Sequence, residues 1–244
     1  MHCVLIYNPA AGRRRAGRAE QLQQIADVLT ALGHRAEVMA TATPGSATMQ
    51  TRQAVQDGAE IVFACGGDGT VHEVLQGLAS EDGQHDVALG VIPLGSANAL
   101  ARHMRLSLDP LKAALQQIDA TPQTIPIGKL VYGGQLRYFA VMAGAGSDGA
   151  LVYNLPATDK ASLGRVAYYL HATKLYATRR FEAFEVEYIE AETGATFIRR
   201  AVSAMAVRCV RLSSRQRWLS RAAPGAKSSP SVRRSPIRCG CGWY

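Results

Sequence analysis

Four short apolar runs punctuate the first half of the chain: Val4–Tyr7, Ala36–Met39, Ile61–Ala64 and Ala88–Ile92. They are strand-length, and most are unbroken by polar residues, the pattern of strands buried on both faces. Between them the period changes to that of a helix. Leu22, Ile25, Leu29 and Leu32 recur at helical spacing, and Gly33 supplies a stop. Further helices are expected over Ser46–Gln56, about Thr70–Ala79, near Ala97–His103 and over Pro110–Ile118. Strands alternating with helices over residues 1–127 predict an α/β fold, a doubly wound parallel sheet covered on both faces.

From about residue 123 the texture changes. Gln123–Leu130, Leu136–Met142, Phe184–Ile189 and Thr196–Val207 read as strands. Phe184, Val186 and Tyr188 alternate with Glu185 and Glu187, as in a half-buried antiparallel strand. Gly133-Gly134 suits a hairpin turn, and a helix is expected over Leu163–Tyr176. After Val207 periodicity fades. Arg211–Tyr244 is rich in Arg, Ser and Pro and reads as disordered or at best marginally ordered. The expected organisation is therefore a first domain over 1–127, a partial β-rich second domain over 128–207 and a basic tail over 208–244.

Charge changes this picture only at the tail. The net charge is +8, but 11 of the 27 basic residues lie in residues 199–244, which hold no acid. The remaining 16 face all 19 acids, so residues 1–198 carry −3. That body is not a basic nucleic-acid binder. The abrupt acid-free end suggests a frameshifted or truncated reading frame. Hydrophobic residues make up 48% of the 244, enough for a full core. No segment approaches the roughly 18 apolar residues of a membrane helix. The first residues lead straight into a strand, with no charged region or cleavage site of a signal peptide. The five cysteines form no zinc spacing, and two of them read as small core residues in expected strands. A cytoplasmic setting follows.

The chemistry concentrates at Gly66-Gly67-Asp68-Gly69-Thr70. The apolar run Ile61–Ala64 enters this turn, and Val71, Val74, Leu75 and Leu78 leave it on one helical face. Glycines let backbone N–H groups approach a ligand closely. The helix start adds free donors and partial positive charge. Together they form a phosphate site. A buried acid in such a turn opposes an anion unless a cation lies between them, so Asp68 points to Mg²⁺, held directly or through water. A Walker A lysine motif is absent.

The turn resembles the signature of the diacylglycerol kinase catalytic domain, shared with sphingosine and ceramide kinases; NAD kinases and phosphofructokinases carry related versions. Three further segments follow in the order of the lipid kinases. Asn8-Pro9-Ala10-Ala11-Gly12 is similar to the family's Asn-Pro-x-x-Gly loop, and Arg13, Arg14 and Arg15 follow it. Pro93-Leu94-Gly95-Ser96-Ala97-Asn98 is similar to Pro-x-Gly-Thr/Ser-x-Asn. Gly144-Ala145-Gly146-Ser147-Asp148-Gly149 resembles Gly-x-Gly-Phe-Asp-Ala. That last segment also fits the dinucleotide G-x-G-x-x-G pattern, but no acid lies about twenty residues further on. Thr41 matches a threonine that some members use for nucleotide. Lys160 and Arg165 stand where the family often carries a basic residue toward phosphate. The chain departs from the pattern at Ala99, where many bacterial members have Asp, and at Ser147, where an aromatic residue is usual. A late Asp-Gly-Glu that supplies a general base is not visible.

The resemblance implies an α/β nucleotide-binding domain followed by part of a β-sandwich, and transfer of the ATP γ-phosphate to a lipid hydroxyl. ATP and Mg²⁺ are the implied cofactors. The implied nucleotide residues are Asn8, Gly12, Thr41, Gly66, Gly67, Asp68, Gly69, Thr70, Val71, His72, Glu73, Gly95, Ser96 and Asn98. Asp68 and Asp148 are the implied catalytic residues, and Asp68 the metal residue. The implied partner is a diacylglycerol- or sphingosine-type lipid, met at the inner face of a membrane by a protein with no transmembrane segment and no specific nucleic acid. Related enzymes often dimerise, so a homodimer is among the implied states. An NAD kinase-like phosphotransferase, an inactive nucleotide-binding remnant, and non-specific binding of the tail to anionic membrane or nucleic acid remain open alternatives.

Overall fold

The computed structural model describes residues 1–12, 16–79, 87–132, 134–147, 149–150, 173–174, 177–178, 180–189, 194–207 and 236–239. The N-terminal part runs β1 (His2–Tyr7), α1 (Arg18–Ala31), β2 (Arg35–Ala40), α2 (Ser46–Gln56), β3 (Ile61–Gly66), α3 (Asp68–Leu78) and β4 (Ala88–Pro93). The four strands pair in parallel in the order β2-β1-β3-β4. The α/β architecture read from the alternating pattern is the observed one. Because β2 lies on one side of β1 while β3 and β4 lie on the other, the winding reverses between β1 and β3. In open α/β sheets such a reversal opens a crevice at the carboxyl ends of the strands.

Strand alternation divides the core between the two faces of the sheet. Cys3 and Leu5 of β1, with Ile61, Phe63 and Cys65 of β3, pack against Leu22, Ile25 and Leu29 of α1. Val4, Ile6, Val62 and Ala64 point the other way, onto Ala47 and Ala54 of α2 and Val71, Val74, Leu75 and Leu78 of α3. Leu32, expected on the apolar face of α1, is exposed. The helix ends at Ala31, where Gly33 turns left-handed (φ 87°) and donates to Thr30 O, while His34 donates to Leu29 O. This paired closure satisfies the last carbonyls and carries Leu32 off the core.

Two helices follow, α4 (Ala99–His103) and α5 (Pro110–Ile118). The start of α5 is set by Asp109, whose carboxylate accepts the Lys112 N–H at 2.9 Å, with Pro110 at the first helical position. Its buried Gln117 accepts the N–H of Val91 and donates to the Val91 carbonyl, both at 2.8 Å. A side-chain amide thus satisfies the backbone of β4 where a neighbouring strand would otherwise do so.

The remaining strands are β5 (Gln123–Pro126), β6 (Gly128–Tyr132), β7 (Gln135–Phe139), β8 (Met142–Gly146), β9 (Phe184–Ile189), β10 (Thr196–Ala201), β11 (Ser203–Val207) and β12 (Pro236–Cys239). Among the described residues six of them form three separate two-stranded antiparallel sheets, β6 with β7, β8 with β11 and β9 with β10, while β5 and β12 extend the parallel sheet beyond β4. The run Gln123–Leu130 is two strands rather than one, because Ile127 between them turns into the core at 1% exposure. Thr196–Val207 divides at Val202, whose carbonyl accepts the N–H of Ser147. In the tail, expected to be disordered or at best marginally ordered, Pro236–Cys239 forms a strand antiparallel to β5 that meets β4 at Cys239; backbone pairing there needs no particular side chain. The helix expected over Leu163–Tyr176 lies almost wholly outside the described residues, as do Arg13, Arg14, Arg15, Lys160 and Arg165.

Candidate functional site

The three loops that leave β1, β3 and β4 converge at the crevice. Asn8 N–H donates to Cys65 O at 3.4 Å, and Leu94 N–H donates to Gly66 O at 2.9 Å. Glycines permit the approach. A side chain at Gly95 would collide with Gly67 Cα and meet Asn98 Oδ1 at 2.9 Å. Gly12 has φ 68° and presses on the Leu94 carbonyl, leaving no room for a Cβ. Only glycine satisfies both the left-handed angle and that contact. Gly66 is packed by the Thr70 side chain.

Each loop is braced by its own polar groups. Asn8 Oδ1 accepts the Ala10 N–H at 2.8 Å, and Ala11 N–H returns to Asn8 O at 3.1 Å, closing a tight turn. Beneath it, the buried Arg18 donates from Nη1 to Ala11 O at 3.0 Å. Burial lowers the Arg18 pKa below the ordinary guanidinium value. Asn98 adopts a left-handed conformation (φ 50°), and its amide clamps one residue: Oδ1 accepts the Gly95 N–H at 2.9 Å and Nδ2 donates to Gly95 O at 2.8 Å. Asparagine tolerates this geometry better than most residues. The side chain expected to touch nucleotide therefore shapes the loop.

Asp68 is exposed, not buried as expected, because it opens α3 at the rim of the crevice. Its Oδ1 accepts the Ala99 N–H at 2.6 Å. Gly67 precedes the helix with no side-chain cap, so the first-turn N–H groups have no intrahelical acceptor. A Cβ at Gly69 would meet nothing within 4 Å. The turn therefore combines unspent donors, the positive end of an 11-residue helix and open space over Gly69, which suits a phosphate.

The other expected residues are distributed as follows. Thr41 donates its N–H to Tyr7 O at 2.8 Å, at the end of the neighbouring strand. Ser96 is exposed on the third loop. Val71 is buried in the core, and Glu73 turns to α2, where its carboxylate accepts the Ala47 N–H at 3.2 Å. His72 stands on the exposed side of α3. Desolvation chiefly, then the charge of Arg137, lowers its pKa, and Glu73 opposes them. Asp148 lies outside the described residues; Gly144–Gly146 ends β8, and Ser147 beside it is buried. Among the described residues no group of three or more His, Cys, Asp or Glu could hold a metal ion. One exposed carboxylate with a single protein donor fits a hydrated Mg²⁺ shared with phosphate, since that ion keeps several waters. It does not make an all-protein cage. Arg18 was missed in the sequence because nothing there separates it from the three arginines just before it.

Residues 2–130 match the family model described as the diacylglycerol kinase catalytic domain. Over 75% of its length the chain is 36% identical to a diacylglycerol kinase of Bacillus subtilis and 30% identical to one of Staphylococcus haemolyticus. It spans 58% and 53% of those relatives, little more than half their length. A crystal structure of a diacylglycerol kinase from Bacillus anthracis superposes with a TM-score of 0.61 over 84% of this chain and 63% of that one, at 24% identity.

Proposed function

From a chain that belongs to the diacylglycerol kinase catalytic-domain family, we infer an ATP-dependent lipid kinase that transfers the γ-phosphate of ATP to the hydroxyl of a diacylglycerol- or sphingosine-type lipid. The observation that carries the reading is the convergence of Gly12, Gly67 and Gly95 at the switch point of the sheet, with the uncapped start of α3 facing the same crevice. Backbone donors of the Gly66–Thr70 turn hold phosphate oxygens. Asn8, Asn98 and Arg18 keep the flanking loops in shape, Ser96 offers an exposed hydroxyl to the nucleotide, and Thr41 borders it from the neighbouring strand. Bound Mg²⁺ supplies neutralisation of phosphate charge next to Asp68. Phosphoryl transfer needs mostly positioning and charge stabilisation, which is what this arrangement provides. Asp148 orients the acceptor hydroxyl.

The reading extends to organisation. Residues 1–127 bind nucleotide, 128–207 form part of a β-rich second unit and 208–244 a basic tail. The protein works on the cytoplasmic side, peripheral at the inner membrane face where its lipid lies, and a homodimer is the expected assembly. No helix of the described residues is long and apolar enough to cross a membrane.

The test is phosphate transfer from ATP to a long-chain diol or an acylglycerol in mixed micelles, with wild type beside Asp68→Ala. Transfer by wild type and its loss in the variant are expected. Equal transfer by both overturns the site, and NADP formation from NAD in place of lipid phosphate overturns the substrate class.

A further inference from the structure

Among the described residues, the edge of β7 that faces α3 is not paired to a strand. At Tyr138, opposite Lys129 of β6, both backbone groups are taken by one side chain instead. Tyr138 N–H donates to Gln76 Oε1 at 2.9 Å, and Gln76 Nε2 donates to Tyr138 O at 2.8 Å and to His72 O at 3.2 Å. Gln76 and Tyr138 are both buried, at 7% and 6% exposure. An amide that spends donor and acceptor on one buried residue fixes register as well as distance, because sliding β7 by one residue would present no matching pair. Helix α3 rises from the Gly66–Thr70 turn, and β7 leads into β8, which ends on Gly144–Gly146. Gln76 is therefore the polar joint between the two segments.

We propose that Gln76 is a positioning residue: it registers β7 on α3, holds Arg137 beside His72, and so fixes the strand leading to Gly144–Gly146 relative to the glycine turn. Its bearing on catalysis rests on the kinase reading above; the register itself does not. Among the described residues, Arg137 from β7 and Glu73 from its own helix are the charged groups that act on His72.

The test compares Gln76→Leu, Arg137→Ala and their double variant by NMR titration of His72. Removing Arg137 is expected to raise the His72 pKa. Gln76→Leu is expected to raise it as well, with little further change in the double variant. An unchanged titration in either single variant overturns the proposal. Gln76→Glu covers the case in which the leucine variant fails to fold. A buried neutral carboxyl offers Tyr138 the same donor and acceptor as the amide, whereas its ionised form only accepts, so the bond to the Tyr138 carbonyl is expected in acid and lost in base, read as a shift of the Tyr138 carbonyl resonance. A Tyr138 carbonyl resonance that stays the same at both pH values overturns the register role. In the micelle assay Gln76→Leu is expected to lower kcat about tenfold or more, since small misplacements of reacting groups are costly, with KM for ATP unchanged. A variant that is only less heat-stable, with wild-type kcat, removes the catalytic role. Absence of transfer in wild type would refute the kinase reading and leave the His72 titration to decide the register.

Discussion

The carboxylate of Asp68 is tied to the backbone of Ala99, whose N–H lies 2.6 Å from Oδ1. The acid of the glycine turn thus joins the start of α3 to the start of α4, and its second oxygen has no protein partner among the described residues. Structural and metal roles meet in one side chain, and substitution separates them. Asp68→Asn keeps an acceptor for Ala99 and loses the charge. Its stability is expected to stay within about 0.5 kcal/mol of wild type, while Asp68→Ala loses about 1 kcal/mol with the bond. Both are expected to lose Mg²⁺-dependent ATP binding in calorimetry. Wild-type binding by Asp68→Asn would show that the charge is not needed.

Gly69 and Gly95 are expected to respond in opposite ways. Gly69 lies within α3 with open space where a side chain would go. Alanine there should raise stability by about 0.5–1 kcal/mol through helix propensity, yet weaken ATP binding by at least about tenfold, or 1.4 kcal/mol, because the methyl occupies the phosphate space. Gly95→Ala drives a methyl into Gly67 and should cost about 1–3 kcal/mol by overpacking. Thermal unfolding with and without ATP–Mg²⁺ reads both effects.

Arg105 stands in the left-handed region (φ 55°) after α4, donating to Arg102 O while Leu106 donates to Ala101 O. Gly33 and Gly58 hold the corresponding place after α1 and α2. A residue with a Cβ costs about 1–2 kcal/mol in that conformation. Arg105→Gly is expected to raise stability by about 1 kcal/mol, or roughly 2–4 °C in Tm for a chain of this size. An unchanged Tm would mean that the arginine side chain compensates.

Burial pushes the Cys3 thiol up to about 11; the N-terminal amino group opposes the shift and Glu60 adds to it. The folded value lies above the ordinary 9.0, so this contribution to stability is complete below pH 9 and is lost as pH rises through about 11. Cys3→Ala should flatten the stability–pH curve in that window. Cys65, fully buried, is shifted the same way. Both thiols are expected to resist alkylation at pH 8 until the chain unfolds. Rapid labelling of the native protein would refute their burial.

Legibility in the sequence followed the range of the interactions involved. Ser46–Gln56, Pro110–Ile118 and Phe184–Ile189 have the boundaries the pattern predicts, because apolar spacing and local caps suffice there. Helix α3 begins at Asp68 rather than Thr70, and α4 at Ala99 rather than Ala97, since Asn98 turns left-handed to clamp Gly95. Gln76 and Gln117 read as ordinary polar positions on helices. Their burial became visible only when each met the backbone of a strand.

By itself, the chain's order of apolar runs and glycine turns determined the α/β class, the strands of the parallel sheet and the three loops at their carboxyl ends, because hydrophobic period and turn chemistry act between near neighbours. Tertiary structure alone decided that Gly12 meets Leu94, that Gly67 meets Gly95, that Glu73 serves α2, and that Asp68 is exposed and bonded to Ala99. Those contacts join residues 25 or more positions apart. No local pattern encodes them, since they exist only once the sheet order has brought separate loops to one edge.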